Sequence, residues 1–209
     1  MQKRFIFYST VVVSLFLSWI TWQVMHGTEP IIDQWSSRFV NQWTGTTFFS
    51  IFRWITELGS GSFITPFILI VALLYLLWTK KWFASIWIVA GSFLGYRLNG
   101  WIKLIAQRER PSILEEAEGV GFSFPSGHAM GAMITYGLLI YFVSKEVKQA
   151  SLKLVIQLIG VILILMIGLS RYVINVHYLS DVLAGFGFGY LFIVGWIIVY
   201  NIVSKKSFG

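Results

Sequence analysis

Residues 62–105 read SFITPFILIVALLYLLWTKKWFASIWIVAGSFLGYRLNGWIKLI, two apolar runs separated only by Lys80 and Lys81. A helix needs roughly 20 apolar residues to cross about 30 Å of hydrocarbon, and each run comes close to that length. Outward along the chain the pattern recurs at 5–25, 127–144, 154–170 and 182–202, which makes six candidate spans. The chain is 56% hydrophobic and carries 18 Phe, 10 Trp and 9 Tyr in 209 residues, more apolar surface than a soluble domain of this length can hide. The fold class that follows is all-α, a six-transmembrane-helix bundle forming one domain over residues 1–209. The first run follows Lys3 and Arg4, but it is longer than a secretory signal core and no small-x-small cleavage site follows it, so it reads as a retained anchor.

Charge placement sets an orientation. With the N-terminus inside, Lys3, Arg4, Lys80, Lys81, Lys145, Lys148, Lys153, Lys205 and Lys206 fall in the cytoplasm, nine basic residues against seven outside. Glu146 alone of the nine acids falls inside. The expected topology is therefore N-in, C-in. A net charge of +7 raises the question of nucleic acid, but no basic stripe or recognition motif accompanies it, and inner-loop charge accounts for the excess. The absence of Cys excludes disulfides and thiolate metal sites. Between the first two spans, residues 29–57 are too polar to cross. Trp35, Phe39 and Trp43 recur at four-residue spacing, as on one helix face. Short helices there either lie in the interface with their rings in lipid or pack over the bundle as a cap.

Three segments bring ionisable groups to one membrane level, where such groups are costly and are functional candidates. Lys103 and Arg110 are seven apart, about two helical turns, so both can share a face. Two cations so placed either bind an anion or snorkel to headgroups. In GFSFPSGHAM (121–130), Pro125 ends extended chain, Ser126 can cap a helix, and Gly127 lets a ligand approach the backbone. A helix N-terminus of that kind suits phosphate, and His128 in its first turn would point at the ligand. His177 and Asp181 are four apart, so on a helix the carboxylate can meet the ring. That contact would either fix a reactive tautomer or simply satisfy an interfacial pair. His26, the third histidine, has no partner pattern.

Lys103 to Pro111 (K-x6-RP), Pro125 to His128 (PSGH) and Ser170 to Asp181 (SR-x5-H-x3-D) resemble the three signatures of the type-2 phosphatidic acid phosphatase superfamily, in its order and spacing. The resemblance covers residues 103–181. It implies a metal-free, cofactor-free phosphatase in which His177 attacks phosphorus, Asp181 orients it, and His128 protonates the departing oxygen. Lys103, Arg110, Arg171, Ser126 and the Gly127 backbone would hold the phosphoryl oxygens, with Pro111, Pro125 and Ser170 in supporting positions. It further implies a multi-pass protein of the bacterial plasma membrane with its site on the outer face. The substrate would be a membrane lipid phosphate, namely phosphatidylglycerophosphate, phosphatidic acid or undecaprenyl diphosphate. Bilayer lipids are the only other partners implied, and an oligomer is not. Soluble vanadium-dependent haloperoxidases share the motifs but need no bilayer. An anion channel or lipid transporter would need the cations but not the His177–Asp181 pair, and a lipid phosphotransferase would share the phosphohistidine.

Overall fold

The computed structural model describes residues 2–40, 42–43, 45–111 and 121–208, of which all the regular structure is helical. The outer acids Glu115, Glu116 and Glu118 lie outside the described residues. Eight helices are described: α1 (Gln2–Met25), α2 (Ile31–Val40), α3 (Thr47–Glu57), α4 (Gly61–Thr79), α5 (Trp82–Ala106), α6 (Gly127–Glu146), α7 (Ala150–Val173) and α8 (Leu179–Phe208). Five of them, α1, α4, α6, α7 and α8, are long and apolar enough to cross a membrane. α5 has the length, about 37 Å at 1.5 Å per residue, but its second half carries Arg97, Asn99 and Lys103.

α6 is the axis of the bundle, packed by α4, α5, α7 and α8. Its sequence is apolar on every face, and Met130, Ile134, Leu138 and Phe142 are buried among Ile68, Ile88, Ile164 and Ile167 of its neighbours. Several polar groups inside find partners, which offsets the cost of burying them. Tyr136 donates its hydroxyl to the Leu58 carbonyl at 2.7 Å, and Thr135 donates to Ser92 at 3.1 Å. Trp87 and Trp196 stack 4.5 Å apart, each indole N–H donating to the other residue's backbone carbonyl. At one end of the bundle Lys81 and Tyr75 both donate to Glu146, joining the start of α5 and the end of α4 to the end of α6.

The opposite end gathers α2, α3 and the α5–α6 and α7–α8 connections. α2 and α3 each turn buried polar groups toward the bundle while leaving large apolar side chains exposed. α2 buries Asp33 and Ser36 while exposing Ile31 and Trp35; α3 buries Thr56 and Phe52 while exposing Ile51 and Trp54, the last 80% exposed. One face of each helix thus packs on the bundle, as the cap alternative for residues 29–57 expects. Trp43, however, does not share a helix face with Trp35 and Phe39. α2 has ended at Val40, and the Trp43 ring meets Tyr172 edge-on at 5.8 Å.

Two local expectations are corrected at this end. Lys103 and Arg110 do not lie on one helix face, because α5 stops at Ala106 and Gln107 turns into the left-handed region (φ 47°), its N–H closing on Lys103 O. His177 and Asp181 do not share a helix either. His177 sits in the turn after α7, and α8 begins only at Leu179.

Candidate active site

The α5–α6 connection, the α7–α8 turn and the first turns of α6 and α8 meet here, joined through the main chain. Ser126 N donates to Asp181 O at 3.0 Å, Ser123 N to Arg108 O at 2.7 Å, and His177 N to Arg171 O at 3.2 Å. The approach of α8 to α6 demands glycine at 185, where a Cβ would stand 2.7 Å from the Ser126 carbonyl oxygen. Ser126 caps α6, its hydroxyl accepting from Ala129 N at 3.4 Å, and Asn99 of α5 donates to Pro125 O at 3.3 Å. The PSGH turn is therefore held from both sides with the N-terminus of α6 facing the site.

His177 is buried at 2% exposure, and its neighbours define its protonation. Arg110 Nη1 lies 3.1 Å from its Nε2. A guanidinium can only donate, so Nε2 accepts there and the ring proton belongs on Nδ1. That nitrogen faces Ser123 Oγ at 3.3 Å and Asp181 Oδ2 at 3.4 Å, and Ser123 in turn donates a short hydrogen bond to Asp181 Oδ2. The ring is thus ordered Nδ1–H to Ser123 and Asp181, with the Nε2 lone pair turned to the cations. Burial above all holds its pKa far below the ordinary value, at about 3. Asp181 opposes that shift, while Arg110 and Arg171 add to it. At neutral pH the imidazole is uncharged.

The other expected residues arrive as follows. Arg110 also donates to the carbonyls of Val176 (2.8 Å) and Gly121 (3.0 Å), and Lys103 donates to those of Phe122 and Ser123. Arg171, buried on α7, donates to Thr56 of α3 at 2.8 Å. His128 occupies the first turn of α6 within electrostatic reach of Lys103, Arg110, Arg171 and His177. Its ring lies against Gly59, where a Cβ would come within 3.1 Å of it. Pro111 and His177 both line a cavity of about 270 Å³ beneath α2. Ser170 alone turns away, donating to the Ile167 carbonyl of its own helix at 2.6 Å, which makes it a packing residue.

Residues 84–206 match the PAP2 superfamily. The chain is 35% identical over 142 residues to phosphatidylglycerophosphatase B of Bacillus subtilis (strain 168), an alignment covering 66% of this chain and 68% of that protein. The chain belongs to the PAP2 superfamily. It is a membrane phosphatase of that superfamily, as the three motifs lead one to expect. Its fold is similar to the crystal structure of a transmembrane PAP2-type phosphatidylglycerolphosphate phosphatase from Bacillus subtilis, with a TM-score of 0.84 and 25% identity over 97% of this chain and 100% of that one.

The PAP2 motifs did not point to four residues that the site uses: Asp33, Thr56, Arg108 and Ser123. Ser123 stands three residues before Ser126 in the quoted GFSFPSGHAM and could have been singled out there. Arg108 lies inside K-x6-RP at one of the unspecified positions. Asp33 and Thr56 belong to α2 and α3, and no spacing rule relates them to residues near 108 or 171.

Proposed function

We propose that this PAP2 phosphatase removes the terminal phosphate of phosphatidylglycerophosphate or a related membrane lipid phosphate through a phosphohistidine on His177. The observation that carries the reading is the ring orientation, with the Nε2 lone pair beside Arg110 and Nδ1–H committed to Ser123 and Asp181. In the first step Nε2 bonds to phosphorus and the bond to the lipid oxygen breaks. His128, protonated once the phosphate dianion is bound beside it, passes its proton to that oxygen. In the second step water, deprotonated by His128, attacks the phosphohistidine and frees phosphate and His177. Lys103, Arg110 and Arg171, with Ser126 and the Gly127 N–H at the start of α6, neutralise the phosphoryl oxygens. Phosphoryl transfer asks for little beyond such positioning and charge. Asp181 is already committed to Arg108, Ser123 and Tyr178 N, and the electrostatic burden falls on the cations. The name of the Bacillus relative favours phosphatidylglycerophosphate as substrate. The test is phosphate release from phosphatidylglycerophosphate, phosphatidic acid and undecaprenyl diphosphate side by side, in detergent and in bilayers, with EDTA present. The first lipid is expected to be turned over fastest and chelator to have no effect. Loss of activity in EDTA with recovery on Mg²⁺ would overturn the role given to the cations.

For topology we infer six spans with both termini inside and the site on the outer face of the plasma membrane. α5 supports the sixth span, since it starts beside the end of α6 at Lys81–Glu146 and finishes beside the start of α6, where Asn99 meets Pro125. The exposed Trp35 and Trp54 of α2 and α3 suit an interfacial position among headgroups. Since the chain has no Cys, Asn175→Cys should react with a membrane-impermeant maleimide in intact cells, whereas Lys148→Cys should not. The reverse pattern would invert the orientation.

A further inference from the structure

Neither Asp33 nor Arg108 is a specified position of the three motifs, yet the two form a densely bonded polar cluster beside the site. The Asp33 side chain is fully buried, and a buried carboxylate persists only when its charge and lone pairs are matched. Its Oδ1 accepts from Ser180 N at 2.8 Å, and its Oδ2 accepts from Ser180 Oγ at 2.5 Å and from Arg108 Nη2 at 2.8 Å. The other arm of the same guanidinium, Nη1, donates to Asp181 Oδ1 at 2.6 Å and to Ser180 Oγ at 2.8 Å. The Arg108 guanidinium also lies over the Tyr178 ring, 3.9 Å from its centre.

The two oxygens of Asp181 therefore have separate duties. Oδ1 is taken by Arg108, and Oδ2 faces His177, Ser123 and Tyr178 N. A planar guanidinium gripped by a carboxylate at each arm has one orientation, unlike a cation gripped at one end. We propose that Asp33 and Arg108 are positioning residues of the reaction. Asp33 fixes the plane of Arg108, Arg108 fixes the rotation of the Asp181 carboxylate, and that carboxylate sets the direction in which His177 Nε2 attacks. α2 is thereby part of the catalytic apparatus and not only a cover over it. Asp33 also neutralises Arg108, so that the phosphate meets Lys103, Arg110 and Arg171 without a fourth cation competing for it. The proposal rests on the reading of His177 as nucleophile, which His177→Ala tests separately by loss of the phosphoenzyme.

The experiment compares Asp33→Asn, Arg108→Gln, Arg108→Lys and the double variant Asp33→Asn/Arg108→Gln in the full-length protein. It reads kcat, KM for the lipid, the Ki of inorganic phosphate as competitive inhibitor, and thermal melting. Misaimed attack at an otherwise intact phosphate site costs turnover without binding, so kcat is expected to fall about 10–100-fold in Asp33→Asn and in the double variant. KM and phosphate Ki should stay within about threefold, the pattern of an interaction felt in the transition state only. Arg108→Gln alone strands two buried carboxylates and should melt lowest. The double variant removes one of those charges, should recover the melting temperature, and should keep the kcat loss. Arg108→Lys keeps the charge without the fork and should retain an intermediate kcat, and it carries the test if the Gln variants do not fold. An unchanged kcat in any folded variant of either residue would reduce the pair to a structural role. A rise in phosphate Ki in step with KM would make Arg108 a phosphate ligand instead.

Discussion

His177→Ala is expected to abolish turnover on every lipid phosphate and to leave no acid-labile phosphoenzyme. The argument starts from the ring's surroundings. It is buried, uncharged at neutral pH, and directed with Nε2 toward Arg110. Nε2 of His177 is the nitrogen oriented toward the cations, so its loss removes the bond to phosphorus on which turnover depends. Loss of a nucleophile or its partner in hydrolytic sites costs on the order of 10⁴-fold or more, and a comparable fall is expected here. The measurement is phosphate release together with alkali-quenched labelling from a radiolabelled lipid phosphate, with acid lability of the label as the signature of phosphohistidine. Residual phosphoenzyme in the variant would move the nucleophile elsewhere. A non-enzymatic anion pathway, by contrast, would tolerate this change and depend only on the three cations.

His128→Ala is expected to act selectively. A general acid is worth about 10²–10⁴ in rate, or roughly 3–5 kcal/mol at 1.36 kcal/mol per decade. The help matters most when the departing oxygen is a lipid alkoxide, as in phosphatidylglycerophosphate or phosphatidic acid. A diphosphate releases a phosphate that is already a stable anion. Monoester lipids should therefore lose markedly more rate than undecaprenyl diphosphate. The check is the ratio of kcat/KM losses on the two substrate types. Equal losses would mean that His128 binds the phosphate and does not donate the proton.

Much of the bundle is legible because hydrocarbon imposes so strong a pattern. The apolar runs coincide with α1 and α4 to α8 to within a few residues at most edges, and the PSGH turn does begin a helix. The errors fall where local signals outvoted periodicity. Helical spacing put Arg110 on the face of Lys103, but Gln107 adopts a left-handed conformation and the proline at 111 disfavours helix in the residue before it. The four-residue interval from His177 to Asp181 suggested one helical turn, whereas it bridges a turn and a helix start. The two side chains meet all the same, 3.4 Å apart, with Ser123 set beside both. Asp33 was counted only among the outer acids. Its partnership with Arg108 and Ser180 is made by tertiary packing across 75 and 147 positions, which no periodicity encodes.

The links that draw the active segments together are made by the main chain: Ser126 N to Asp181 O, Ser123 N to Arg108 O, and His177 N to Arg171 O. No substitution short of proline removes a backbone donor, and none removes a backbone acceptor. Provided that Gly185 keeps α8 close to α6, the frame is inherited largely apart from the reactive side chains, and descendants of such a chain can exchange one reactive group for another without first rebuilding the geometry that aims it. Divergence in leaving group or acceptor can then proceed by single steps, each beginning from a site that is already assembled.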